Sequence, residues 1–168
     1  MAALYQCGGC KKASLLVYEV VGTGYGHGTL YFENQFPGPR AARNELLPID
    51  VDGDRVEAWD CYFAGLNRAA ILMARSSLQR AVRTLTTFRG SLNAELDRLV
   101  EEGRITAQMR ANADEVRLTG NDVAHPEELT EITETDAKDS LIFLDDFLDT
   151  ALAIPERQRR RRDARERT

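Results

Sequence analysis

The segment DEVRLTGNDVAHP, from Asp114 to Pro126, sets Arg117, Asn121 and His125 at intervals of four residues. On a helix, residues four apart stack along one face. The result is a column of a cation, an amide and an imidazole. Arginine grips phosphate oxygens through its planar fork, and an imidazole transfers protons near neutral pH. The column is therefore a candidate phosphate-handling set, and Gly120 inside it allows a neighbouring backbone or ligand to come close. His125 has a second reading, because a histidine before proline at a helix end can cap the last carbonyls and meet the helix dipole.

Three further groups carry potential chemistry. Arg75 falls beside Val82 at the border of an apolar helical stripe, with Arg68 near it. A charge there is costly unless paired, so it should meet a carboxylate such as Asp114 or Glu115, a helix end, or a bound phosphate. Arg80 and Arg83 lie farther round and read as a solvated face. Cys7-x-x-Cys10 supplies two of the four ligands that structural zinc requires. The remaining soft candidates are His27, Cys61 and His125, so Cys7 and Cys10 form a candidate zinc half-site or a reduced, metal-free knuckle. No βαβ pattern surrounds the pair, which argues against a thioredoxin-type redox centre.

The elements that must position these residues change character along the chain. Ser14–Val21 and Thr29–Gln35 are rich in β-branched and aromatic residues and flank a turn holding Gly22, Gly24, Gly26 and Gly28, the pattern of a β-hairpin. Pro37, Pro39 and Pro48 punctuate a linker to about Gly53. A helix is then expected from Asp54, with Asp54 as N-cap and Glu57 closing a capping box, to a stop at Gly65. A longer helix over Asn67–Thr84 aligns Ile71, Ala74, Leu78, Ala81, Val82 and Leu85. Ser91 should cap a third helix that ends at Gly103, and a fourth should run from near Thr106 toward Ala124, stopped by Pro126. A fifth, capped by Thr133 or Thr135, carries Ala137, Leu141, Leu144, Leu148 and Leu152, and Pro155 restarts a short basic extension. The expected fold is mainly α. Residues 1–53 form a small β-hairpin and knuckle with a linker, residues 54–154 a bundle of about five helices, and residues 155–168 a basic tail.

Composition narrows the function classes. With 43% hydrophobic and 29% charged residues among 168, the chain is neither disordered nor a fibrous or disulfide scaffold. Its longest apolar runs fall far short of the roughly 20 residues a membrane span needs, and its N-terminus lacks a secretory pattern. A soluble, cytoplasmic protein without membrane partners is expected. The net charge of −5 hides a split: from Pro155 onward seven arginines face three carboxylates, a balance of +4, which leaves −9 for the rest. An acidic body does not attract nucleic acid over its whole surface, so any such contact must be local. The tail reads either as a solvated, frayed end or as a phosphate-backbone contact. Walker-type loops and the H-E-x-x-H and G-x-S-x-G motifs are absent.

The segments CGGCKK, AWDCYFAGLNRAAILMARSSLQ and DEVRLTGNDVAHP resemble the bacterial family called domain of unknown function 4145, across nearly the whole chain. That family is grouped with the HEPN superfamily (higher eukaryotes and prokaryotes nucleotide-binding), all-α bundles that are usually dimers. Many are metal-independent ribonucleases of toxin–antitoxin, restriction and anti-phage systems. The resemblance implies the superfamily histidine at His125 and its polar companion at Asn121. It departs at the arginine, which active members place four to six residues from the histidine. Here Gly120 precedes Asn121, and Arg117 leaves seven residues between.

Two expectations follow from this resemblance. One is an RNA-directed, HEPN-like homodimer in a defence or toxin–antitoxin setting. It would cleave RNA without metal to a 2′,3′-cyclic phosphate, with His125, Asn121 and either Arg117 or Arg75 as the site and no required cofactor. The alternative is a non-catalytic dimeric adaptor that binds protein or nucleic acid.

Overall fold

The computed structural model describes residues 2–6, 13–22, 28–36, 41–124 and 132–167. The chain divides into two units, Met1–Arg40 and Ala41–Thr168.

The first unit is an antiparallel sheet of β1 (Ala2–Gln6), β2 (Ala13–Gly22) and β3 (Gly28–Phe36), in that spatial order. The expected hairpin is β2 with β3, in a register that pairs Val21 with Thr29 and Gly22 with Gly28. A register shift between Val17 and Tyr18 marks a bulge, which bends and twists the strand locally. A third strand, β1, adds to the free edge of β2 and pairs Leu4 with Leu15. Two strands alone are marginal in water, so this third strand matters to the unit's stability.

The second unit is helical: α1 (Ile49–Phe63), α2 (Asn67–Leu85), α3 (Leu92–Glu101), α4 (Ala107–Ala124), α5 (Glu134–Leu148) and α6 (Ile154–Glu166), with a π-helical turn, Asp149–Ala153, joining the last two. The centre is α2, which packs against α1, α3, α4 and α5. The period-3.6 stripe explains why: Ile71, Ala74, Leu78, Ala81 and Val82 are all fully buried. They meet Val51 and Ala58 of α1, Leu96 and Leu99 of α3, Val116 of α4, and Leu141, Leu144 and Leu148 of α5 in one core. Alanines recur on the α2 face, which allows close helix approach.

Three expectations about helix boundaries change. The first helix starts at Ile49, after Pro48, rather than at Asp54. Pro48 sits at φ −55° and ψ 141°, an extended geometry its ring favours, and a helix can begin directly after it. Asp54 is thus mid-helix, and its carboxylate accepts from Ser76 Oγ and Arg80 Nε of α2, each at 2.6 Å. Arg80 is therefore a half-exposed ion-pair partner, not an idle solvated cation. Arg83, likewise half-exposed, lies 3.7 Å from the fully buried Glu95, whose other oxygen accepts no hydrogen bond among the described residues.

The second change is at Pro155. It interrupts nothing, because the chain continues from α5 into α6 through the π-helical turn. Proline has no N–H for the carbonyl four residues back and its ring crowds that carbonyl. The widened turn, in which the Ile154 N–H donates to Asp149 O, accommodates both. The third change follows from the second: the basic tail is a helix through Glu166, not a frayed end.

Other termini form as expected. Gly65 ends the α1 segment with φ +73°, a conformation an L side chain resists. Ser91 Oγ accepts from the Ala94 N–H at the start of α3. Thr133 and Asp136 close a reciprocal capping box on α5, and the Thr133 hydrogen bond holds the Asp136 carboxyl below its usual pKa.

Thr133→Ala should cost about 1 kcal/mol in urea unfolding at pH 7. Asp136 is stabilising when ionised, so its contribution is present above the unfolded aspartate pKa of about 4 and fades as pH falls through the lower folded value. Asp136→Asn should accordingly be destabilising at pH 7, with the difference from wild type shrinking below about pH 4.

Candidate functional site

The site expectations converge on the seam between α2 and α4. Gly120 is buried there, and the Arg75 side chain lies directly across it. A Cβ added at Gly120 would fall 2.9 Å from the Arg75 Cβ, 3.1 Å from its Cγ, and nearer still to its Cδ. Real Cβ atoms do not tolerate such contacts, so glycine at this position is what admits the arginine. The sequence reading anticipated a close approach at Gly120. The tertiary structure identifies its occupant.

Arg75 does not pair with Asp114 or Glu115. Its Nε is buried and has no hydrogen-bond partner among the described residues, and no carboxylate there reaches ion-pair distance. Asp114 is taken by two other arginines. It stands 2.6 Å from Arg117 Nε and 3.0 Å from Arg110 NH1. Burial raises the Asp114 pKa, but the Arg117 hydrogen bond and the charges of Arg110 and Arg117 outweigh it and hold the carboxyl below its ordinary value. Arg110 is further anchored by Asp97 at 2.9 Å.

Of the two arginine candidates, Arg117 is therefore already neutralised, and Arg75 meets no carboxylate among the described residues. Asn121 follows Arg117 by one turn and is half-buried, without a hydrogen bond to the described residues. Arg68, one residue into α2, donates from a terminal nitrogen to the Val123 carbonyl at 3.0 Å. That contact satisfies an end carbonyl of α4 and places a cation at the negative end of its dipole. The neighbouring Asn67 Oδ1 is buried and has no partner among the described residues. The contacts of Arg75 with Gly120 and of Arg68 with Val123 thus line the seam with polar α2 residues toward the C-terminus of α4, where Asn121 follows Gly120 in sequence. His125 lies just beyond, outside the described residues.

Cys7, Cys10 and His27 also lie outside the described residues, so the zinc half-site does too. Cys61 lies on α1, as expected, and forms no disulfide among the described residues. Burial pushes its pKa up, helped by the nearby charges of Glu57 and Asp60, which makes it a poor nucleophile. No group of three or more metal-ligating side chains occurs among the described residues.

One polar cluster was missed in the sequence. Arg55 is nearly buried between Asp52, 2.9 Å from its Nε, and Asp145 of α5, 3.5 Å from its NH1. Trp59 Nε1 donates to the other Asp145 oxygen at 3.0 Å. Starting the helix at Asp54 left Asp52 outside it. With the helix begun at Ile49, the spacing of Asp52, Arg55 and Trp59 would have placed all three on one face.

Comparison with known proteins bears on this seam directly. A family model described as "Domain of unknown function (DUF4145)" matches residues 56–166. The chain belongs to that family. The match takes in the whole α2–α4 seam and the π-helical turn and extends through α6. The sheet unit lies outside it. No curated protein and no solved structure matches the chain significantly.

The Gly120 contact gives a direct test. Gly120→Ala should destabilise the protein by about 1–3 kcal/mol through overpacking. In an Arg75→Ala background the same substitution should cost less, because the Cγ and Cδ atoms are gone. A coupling of at least about 0.5 kcal/mol in a double-mutant cycle by urea unfolding would establish the contact.

Proposed function

We propose that this protein is a HEPN-like, RNA-directed homodimer of a bacterial defence or toxin–antitoxin system, acting as a metal-independent endoribonuclease. The observation that carries the reading is Arg75, whose stem lies over Gly120 and whose buried Nε has neither a hydrogen-bond partner nor an ion-paired carboxylate among the described residues. A half-buried cation without a counter-ion is costly, and an RNA phosphate supplies the missing anion. Gly120, at the place where the resemblance implies an arginine, is then compensated from the adjacent helix: Arg75 delivers the fork across it.

In this mechanism the 2′-hydroxyl attacks the adjacent phosphorus and the P–O5′ bond breaks, leaving a 2′,3′-cyclic phosphate and a free 5′-hydroxyl. Arg75 neutralises the charge that builds on the non-bridging oxygens. Asn121 orients the phosphate through its amide. His125 handles the proton that leaves the 2′-oxygen and the one that reaches the 5′-oxygen. Packing two copies of α4 across a two-fold axis brings both sets of residues to one groove.

A second reading is favoured by the Arg117–Asp114 pair. With that arginine neutralised, the seam would serve a non-catalytic dimeric adaptor that binds protein or nucleic acid.

Incubation with RNA in EDTA separates the two. The nuclease reading expects cleavage that survives chelation, vanishes in His125→Ala, and falls by about 10²-fold in Arg75→Met, which keeps the stem over Gly120 but removes the fork. Arg117→Gln should change the rate little. Intact RNA with the wild-type protein, or undiminished cleavage by His125→Ala, would remove the enzyme and leave the adaptor.

A further inference from the structure

Helix α6 buries none of its residues. Between Glu156 and Arg167 its only apolar residue is Ala164. A helix of 13 residues without a packed face is marginal by itself. It is held by continuity with α5 through the π-helical turn and by ion pairs near its root. Glu156 accepts from Arg159 at 2.8 Å and from Arg160 at 2.7 Å, and these bonds lower its pKa to about 2. Arg160 also donates to the Glu45 carbonyl at 2.9 Å, and Arg159 reaches Asp163 at 3.5 Å. These residues sit on one side of the helix.

The opposite side is different. Arg157, Arg161 and Arg165 follow one another at four-residue intervals, within about 80° of arc and about 6 Å apart along the axis. All three are exposed, and none pairs with a carboxylate among the described residues. Glu156, Asp163 and Glu166 all project from the other half of the helix. Packing therefore does not account for these arginines, and the carboxylates on the helix leave their stripe uncompensated.

We propose that this stripe of α6 is a nucleic-acid contact that grips three phosphates of a sugar–phosphate backbone. An evenly spaced row of like charges matches a polymer with an evenly repeated opposite charge. Every cation in the row is arginine, whose fork suits phosphate oxygens. A membrane surface fits poorly, because an interfacial helix needs an apolar face to bury, and α6 has none. An acidic protein fits less well, because protein interfaces centre on an apolar or aromatic core, and the stripe carries neither. The surface is separate from the α2–α4 seam and binds whether or not that seam is catalytic.

The test uses the full chain and two labelled 20-nucleotide oligomers of one sequence, a 2′-O-methyl RNA that cannot be cleaved by 2′-attack and a DNA. Anisotropy is read at 50, 100 and 200 mM salt. Binding should weaken with salt at a log–log slope of about −2, the value for three phosphates on a single strand. The triple variant Arg157→Gln/Arg161→Gln/Arg165→Gln should lose at least about tenfold in affinity at 50 mM salt and flatten that slope. Arg159→Gln, on the ion-paired side, should stay within about twofold of wild type. Glutamine keeps high helix propensity, and circular dichroism verifies that the variants remain folded. Wild-type-like binding by the triple variant overturns the proposal, as does failure of the wild type to bind either oligomer at 50 mM salt. Tighter binding to polyglutamate, or to phosphatidylserine vesicles, than to both oligomers also overturns it. Binding without any nuclease activity would sink the catalytic reading and leave this one standing.

Discussion

A hydrogen in place of a side chain at position 120 governs how α2 and α4 meet. Because Gly120 presents no Cβ, the stem of Arg75 lies flat against the α4 backbone, and the two helices can seal Ile71, Ala74, Leu78 and Val116 from water along the same seam. Any larger residue would push Arg75 aside or separate the helices, and a core of this kind transmits such shifts because it is packed without slack. The arginine's stem therefore serves packing while its head remains polar, the usual division of labour for a long cationic side chain. The same contact that closes the core also carries a guanidinium that pairs with no carboxylate among the described residues.

A second constraint works at the opposite side of the bundle. The Asp52–Arg55–Asp145 cluster, with Trp59, ties α1 to α5. Burial pushes the Asp145 carboxyl above its ordinary pKa despite Arg55 beside it, so desolvation is the larger effect there. Ion pairs in such surroundings add little net stability compared with apolar packing, yet losing one partner leaves a stranded charge and is costly. The cluster is thus better understood as fixing which faces of α1 and α5 meet than as a source of binding energy. The Asp54–Arg80–Ser76 contacts do the same between α1 and α2.

Arginines in this protein divide into those whose charge is spent inside the fold and those left unspent. Arg55, Arg110 and Arg117 each meet a carboxylate within 3 Å, and Arg68 meets a carbonyl. Arg75 in the seam and the outer row of α6 meet no carboxylate among the described residues. In an otherwise acidic chain, these few places are where an anion gains most from approaching, since attraction is local rather than spread over the surface.

Much of the architecture was legible in the order of residues. The stripe of Ile71, Ala74, Leu78, Ala81 and Val82 identified the central helix, because a 3.6-residue period has one structural meaning. Gly65, Ser91 and Thr133 marked helix ends through local backbone chemistry, and β-branched runs around a glycine-rich turn marked the hairpin. What could not be read were partnerships. Asp54 looked like a cap because a carboxylate before an apolar run usually is one, and only the position of α2 supplied Ser76 and Arg80 as better partners. Pro155 looked like a break because a regular helix excludes it, and only the structure shows the π-helical turn that carries the chain from α5 into α6. Arg75 and Gly120 stand forty-five residues apart, and nothing local announces that one fills the space the other leaves. Sequence determined which segments are helical and which faces are apolar, since those follow from backbone preference and hydrophobic period. The tertiary structure alone decided which charges are cancelled, because cancellation depends on distances between residues remote in the chain.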